Sequence, residues 1–250
     1  MQDFPYLQKV YLKPDKCPDF TCYPFNTLLM KGFNSLEFIK PVTFIIGENG
    51  SGKSTLIEAI ATAFGFNPEG GTKNFNFGTR ESHSKLFEFL RLSKSYKTPK
   101  DGFFLRAESF FNLATNIEEL DKEPSMGPKV IESYGGKSLH EQSHGESFIS
   151  LIVNRFSGNG LYILDEPEAA LSPTRQLTLL ARMNQLCKSN SQFIIATHSP
   201  IILAYPDAQI YQVTNNGLEL TNYEDTEHYA ITKSFLLNPE RMLNELFKDE

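Results

Sequence analysis

Residues 47–55 read GENGSGKST, and this run limits the fold more than any other stretch of the chain. Gly47, Gly52, Lys53 and Ser54 satisfy the spacing G-x-x-x-x-G-K-S/T. In that pattern the glycines let backbone N–H groups turn inward around phosphate oxygens, the lysine reaches the β- and γ-phosphates, and the hydroxyl ligates Mg²⁺. A β-rich apolar run, Thr43–Ile46, precedes the glycines. A helical pattern follows from Lys53 to Phe64, with Leu56, Ile57, Ile60 and Phe64 on one face. A strand therefore enters the loop and a helix leaves it, adding the positive end of its dipole to the anion site. The expected cradle for a nucleotide's phosphates is Gly47, Glu48, Asn49, Gly50, Ser51, Gly52, Lys53, Ser54 and Thr55, with Lys53 also counted among the catalytic groups. The four fixed residues would meet this spacing by chance in about one chain of this length in a hundred.

The remaining pattern alternates strands with helices. Short strands are expected near Lys9–Leu12 and Leu36–Ile39, then at Phe103–Leu105, Leu161–Leu164, Phe193–Ala196 and Ile210–Val213. The last of these hairpins through NNG into Leu218–Thr221. Helices are expected near Lys85–Leu92, over the run SFISLIVNRF, at Pro173–Cys187, and as a pair after Thr226 broken at Pro239. Residues 66–84 read as a long Gly, Asn, Ser and Phe-rich loop. The class implied is α/β: a phosphate-loop fold with a mostly parallel sheet flanked by helices, an N-terminal antiparallel β portion, and an inserted helical or irregular lobe over about 66–160. The chain reads as one domain over 1–250, with the C-terminal hairpin and helices from about 210, and 250 residues suffice for one layered core.

Residues 161–168, LYILDEPE, deliver two carboxylates at the end of an apolar strand, where open α/β sheets bind ligands. Successive strand side chains point opposite ways, so Asp165 and Glu166 are expected to take different tasks. Asp165 would hold Mg²⁺ and Glu166 would orient or deprotonate an attacking water. The adjacent glutamate favours water as nucleophile over transfer to a small molecule. Ser143-x-x-Glu146 reads as a capping box at the start of a helix, which is also an anion site. In Ala196-Thr197-His198-Ser199-Pro200, the imidazole of His198 stands at the end of another strand, placed to donate to a phosphate oxygen or position water.

Composition narrows the classes. Lys plus Arg is 24 and Asp plus Glu is 30, a net charge of −6, which argues against a general cationic coat for nucleic acid. The basic stretch of Lys85, Arg91, Lys94, Lys97 and Lys100, with Tyr96 among them, reads as a solvated face rather than a phosphate-backbone contact. Three cysteines are too few for a disulfide scaffold, and Cys17 with Cys22 lacks the second pair of a zinc site. His140 and His144 are four apart but have no third ligand in view. The longest apolar runs fall far short of the roughly 20 residues that span a bilayer, so a cytoplasmic protein without a membrane segment of its own is expected. The stretch YEDTEHY at 223–229 carries no assignable chemistry.

The order GENGSGKST, QSHGE, LYILDEPEAALSP, ATHSP, spread over about residues 30–215, resembles the ABC-type ATPase superfamily. In particular it is similar to the soluble AAA-type ATPases with a DEPExxLxP element, related to recombination and chromosome-maintenance ATPase heads. The resemblance implies ATP and Mg²⁺ as ligands and an ATP-dependent homodimer, head to tail, with two ATP molecules between protomers. It makes His198 the switch histidine. Ser143 and Gly145 become γ-phosphate contacts to the partner's nucleotide, and Ala169–Ser172 the loop crossing the interface. The sequence departs from the family's signature at Gln142 and His144, where leucine and glycine are usual, and at Ser172, where aspartate is usual. The glutamine that senses Mg²⁺ and water has no clear counterpart, and Glu108 in FFLRAESFF is the nearest polar candidate. Tyr23, Phe25 and Phe33 are the aromatic candidates for adenine. About 88 residues separate Thr55 from Ser143, which excludes a long coiled-coil arm. The leading expectation is ATP hydrolysis that drives or gates an unknown protein partner. The alternatives are a nucleotide-binding subunit of a membrane transporter, a DNA-repair or defence ATPase, and a weakly hydrolysing nucleotide sensor.

Overall fold

Strands buried on both faces need no polar alternation, and the apolar runs of this chain form such strands. The computed structural model describes residues 5–16, 18–72, 84–122 and 129–248. In chain order the elements are β1 (Leu7–Leu12), α1 (Leu28–Lys31), β2 (Ser35–Glu37), β3 (Val42–Ile46), α2 (Lys53–Phe64), β4 (Leu90–Lys94), β5 (Asp101–Arg106) and α3 (Phe110–Leu120). They continue with α4 (His144–Arg155), β6 (Gly160–Asp165), α5 (Pro173–Lys188), β7 (Gln192–Ala196), α6 (Pro200–Leu203), β8 (Gln209–Thr214), β9 (Gly217–Thr221), α7 (Glu227–Leu237) and α8 (Pro239–Leu246). Among the described residues no helix is long and apolar enough to cross a membrane.

The larger sheet runs β5-β6-β7-β3-β8-β9, parallel except for the antiparallel β8–β9 hairpin. A small antiparallel sheet, β2-β1-β4, lies beside it. Period-two alternation divides the core. Ile45, Leu161, Ile163 and Ile194 face α2 and the small sheet, packing with Leu56, Ile57, Ile60, Val10 and Leu36. Phe44, Tyr162, Leu164, Phe193 and Ile195 face the opposite layer, where Phe148, Leu151 and Ile152 of α4 meet Leu179 and Met183 of α5.

Two expectations change here. Residues 85–92 do not form an α-helix. Lys85–Phe89 make a short 3₁₀ turn capped by Ser84, and Leu90–Lys94 pair antiparallel with β1. Pairing with a strand some 80 residues earlier outweighs the local helical pattern, as tertiary context does for strand propensity. The segment 66–160 also contributes to both sheets, since β4 completes the small one and β5 pairs along the whole of β6. Its strands therefore belong to the sheets, and the helical part of the segment begins after β5, with α3 and α4. The loop expected at 66–84 lies largely outside the described residues, as does Cys17.

One buried side chain ties the two sheets. Gln192, 1% exposed, accepts from Leu7 N–H through Oε1 and donates to the Leu7 carbonyl through Nε2, both at 2.9 Å. Gln192→Leu keeps the bulk but strands a buried donor and a buried acceptor. Urea unfolding should show a loss of about 2–5 kcal/mol, and a loss below about 0.5 kcal/mol would contradict this role.

Candidate active site

The parallel register fixes the site. Ala196 lies opposite Ile45 on one side and Asp165 on the other, and Asp165 lies opposite Arg106, so four strand ends present their following residues along one edge. At the end of β3 the chain loops through residues 47–52 into α2. Gly52 is its N-cap at φ 104°, and a Cβ there would meet Thr27 Oγ1 at 2.8 Å, so both conformation and space require glycine. The first-turn N–H groups of α2 have no intrahelical partners and open toward the loop. Lys53, 3% exposed, folds back across it and donates from Nζ to the carbonyls of Gly47 and Glu48, each at 2.8 Å. Burial lowers its pKa, against the opposing pull of Glu166, Asp165 and Glu168.

Asp165 ends β6 almost wholly buried, and burial pushes its carboxyl up to about 6 despite Arg106 and a hydrogen bond from Ser54. Its Oδ1 is buried without a hydrogen-bond partner among the described residues. An orphaned carboxylate oxygen beside the Ser54 hydroxyl is a donor set of the kind Mg²⁺ takes. Glu166 does not continue the strand. Its backbone is left-handed at φ 49°, while its N–H still bonds Ala196 O at 2.9 Å. Such a conformation in a non-glycine residue is costly and concentrates at functional sites. The turn overrides strand alternation. Rather than pointing opposite ways, both carboxylates line one pocket of about 180 Å³ with Ser54, Glu108 and His144.

Glu168, which the sequence reading passed over, binds the two motifs together. It accepts from Thr197 Oγ1 at 2.7 Å and from the His198 backbone N–H at 2.5 Å. His198 Nε2 lies 3.8 Å from Glu166 Oε1, and its ring forms one wall of a cleft of about 520 Å³ with Gly47, Glu48, Asn49 and His228. Burial, then Lys53 and His228, depress the His198 pKa to about 4. The capping box at Ser143 is present, with Glu146 accepting from Ser143 N–H at 3.1 Å and pairing with Arg175 at 3.1 Å. Neither Ser143 nor Gly145 lines the cleft or the pocket. Gly145 instead packs against Ala170 and Arg175, where a Cβ would lie 2.8 Å from Ala170 O and 2.6 Å from Arg175 Nη1.

Arg106 is the largest omission of the sequence reading. It reaches Glu58 at 2.7 Å, Glu108 at 3.5 Å and Asp165 at 3.4 Å, joining α2, β5 and β6. Its position two residues before Glu108 at the end of a strand was the available signal. Of the aromatic candidates, Phe25 and Phe33 are core residues, whereas Tyr23 is 64% exposed with Oη 3.0 Å from Thr55 Oγ1. His140 bonds Thr115 at 3.1 Å and His144 stands edge-on to Phe110, so the two imidazoles serve different neighbours.

Comparison with known proteins agrees with this geometry. A family model described as an AAA domain matches residues 20–153, more than half of the chain, and a second AAA-domain model matches residues 131–204. The energy-coupling factor transporter ATP-binding protein EcfA1 of Fusobacterium nucleatum is 30% identical over 183 residues, covering 68% of each chain. This chain belongs to the ABC-type P-loop ATPases. Other members of the superfamily similar to it include the tungstate uptake ATP-binding protein TupC of Campylobacter jejuni, 25% identical over 83% of this chain and 68% of that one. The cobalt import ATP-binding protein CbiO of Salmonella typhimurium is 24% identical over 84% of this chain and 80% of its own. Among solved structures, cbiO1 from Clostridium perfringens superposes with a TM-score of 0.53 at 16% identity, over 99% of this chain and 100% of that one. This ABC-type ATPase is an ATP-binding, ATP-hydrolysing enzyme.

Two site groups titrate abnormally in opposite senses. Asp165 is raised from 3.8 to about 6, so its contribution to stability is present below about pH 4 and lost as pH rises through 6. His198 is lowered from 6.5 to about 4, so its contribution is present above 6.5 and lost as pH falls toward 4. In nucleotide-free protein between about pH 4 and 6.5, Asp165→Asn should make unfolding free energy rise more steeply with pH than in the wild type. His198→Gln should make the rise shallower. Urea titrations with parallel pH profiles for all three proteins would contradict these assignments.

Proposed function

We propose that two copies of this ATPase close head to tail on two ATP molecules, and that hydrolysis reopens the pair to drive or gate a protein partner. The observation that carries the reading is the division of the motifs. Lys53, Ser54, Asp165, Glu166 and His198 converge at one edge of the sheet. In the signature turn, Gly145 packs against Ala170 of the loop Ala169–Ser172 and is not part of the cleft of Gly47, Glu48, Asn49 and His198, while its neighbour His144 borders the pocket of Ser54, Asp165 and Glu166 together with Ala169 and Ala170. In this reading a second protomer brings a signature turn, with its helix N-terminus, to each nucleotide.

Within a protomer, Lys53 exchanges the carbonyls of Gly47 and Glu48 for the β- and γ-phosphate oxygens, joined by the loop N–H groups from Gly47 to Thr55. Ser54 and Asp165 are the residues that would hold Mg²⁺, which when bound neutralises phosphate charge. Glu166 accepts the proton of the attacking water, and His198 donates from Nε2 to the γ-phosphate. Glu108, 84% exposed at the mouth of the same pocket, takes the place of the missing sensor glutamine. Tyr23 offers its ring to adenine beside Thr55. A membrane component as the partner is the second reading, supported by the similarity to TupC, CbiO and EcfA1, ATP-binding proteins of uptake, import and transporter systems, and tested by co-purification from membranes.

Lys53→Ala should weaken ATP binding at least about tenfold by calorimetry, the value of a charge-assisted contact. Glu166→Gln should bind ATP normally, release phosphate about 10²–10⁴-fold more slowly, and accumulate as a dimer in light scattering. A Glu166→Gln protein that stays monomeric at saturating ATP sinks the sandwich.

A further inference from the structure

His228 stands in the stretch YEDTEHY, to which the motifs assign no role, yet it is part of the nucleotide cleft. Its placement is built rather than incidental. Thr226, fully buried, caps α7 by accepting from Tyr229 N–H, and Tyr223 Oη donates to Pro200 O at 2.9 Å. The cap fixes the start of α7, and the Tyr223 bond fastens the segment just before it to Pro200, two residues after His198. The result is a ring-to-ring contact, with His228 Nε2 3.2 Å from His198 Nδ1.

We propose that His228 is a positioning residue that holds His198 as its Nε2–H tautomer, so that the ring presents a donor to the phosphate site. The inference deepens, and rests on, the reading of His198 as a γ-phosphate contact. Two neutral imidazoles 3.2 Å apart share one hydrogen. If His198 donated it from Nδ1, its Nε2 would be a lone pair facing Glu166 Oε1 at 3.8 Å, acceptor against anion, and the ring could not donate to phosphate. If His228 donates it, Nε2 of His198 carries the hydrogen and faces that carboxylate favourably. The surroundings keep both rings neutral. Burial lowers both pKa values, and Lys53 acts in the same direction on each. Glu227 opposes it at His228, and Glu168 spends its two oxygens on Thr197 and the His198 backbone. His198 Nε2 itself is buried without a hydrogen-bond partner among the described residues, a donor held ready. The logic is that of any imidazole whose acting nitrogen is set by the bond its other nitrogen makes.

Nitrogen-15 spectra of histidine-labelled, nucleotide-free protein read the tautomer directly and need no variant. The expected result is Nε2–H for His198, and Nδ1–H for His198 overturns the proposal. His228→Phe, which keeps ring bulk without a donor, should convert part of the His198 population to Nδ1–H. It should also lower kcat at least about tenfold with KM for ATP little changed. His228→Gln, whose amide can donate at similar reach, should recover most of that loss. In a His198→Ala background His228→Phe should cost nothing further, because a positioning residue acts only through its target. Equal losses from His228→Phe in both backgrounds would make its role merely structural and overturn the proposal. If His198→Ala alone leaves turnover intact, the phosphate-contact reading fails, while the tautomer spectrum still decides the positioning.

Discussion

A buried ammonium organises this molecule. Lys53 bridges the carbonyls of Gly47 and Glu48 from inside the protein, so its charge must be answered by groups the rest of the fold brings to it. Glu166, Asp165 and Glu168 provide that answer, all at or just after the end of β6. The same charge reaches further, since it helps to keep His198 neutral. Removing a cation from water is tolerable only where such compensation exists, and here the compensation is the catalytic machinery.

The parallel sheet makes this concentration possible. Strands in register end together, so residues distant in sequence become neighbours at one edge: Arg106, Asp165 and Ala196 lie side by side across β5, β6 and β7. Arg106 then neutralises the acidic side of the site from Glu58 to Glu108, and Glu168 hydrogen-bonds across to the segment after β7. Two features tolerate strain or burial for this purpose. Glu166 occupies a left-handed conformation, and Asp165 buries an oxygen with no partner among the described residues. A site ready for a nucleotide is expected to be under-satisfied without one.

Local chemistry was legible in the sequence, whereas tertiary context was not. The phosphate loop, the Ser143–Glu146 capping box and the C-terminal hairpin are contiguous patterns with their own physical logic, and each appears in the fold. The helix read at 85–92 failed because β1, far away in sequence, recruits Leu90–Lys94 as a strand. The opposed carboxylates failed because strand alternation stops at Asp165 and Glu166 turns left-handed. Arg106 and His228 were invisible as site residues because their partners lie in other elements: Arg106 meets Glu58, 48 residues earlier, and His228 meets His198, 30 residues earlier. Only a folded chain joins them.

The central claim is that one site needs two chains. Phosphate release per protomer, measured at saturating ATP and Mg²⁺ over a wide range of protein concentration, tests it most directly. A two-protomer site requires turnover per chain to climb with concentration and then level off as dimers fill. A turnover per chain that is substantial and flat down to the lowest concentration, in protein shown by scattering to be monomeric there, would contradict it.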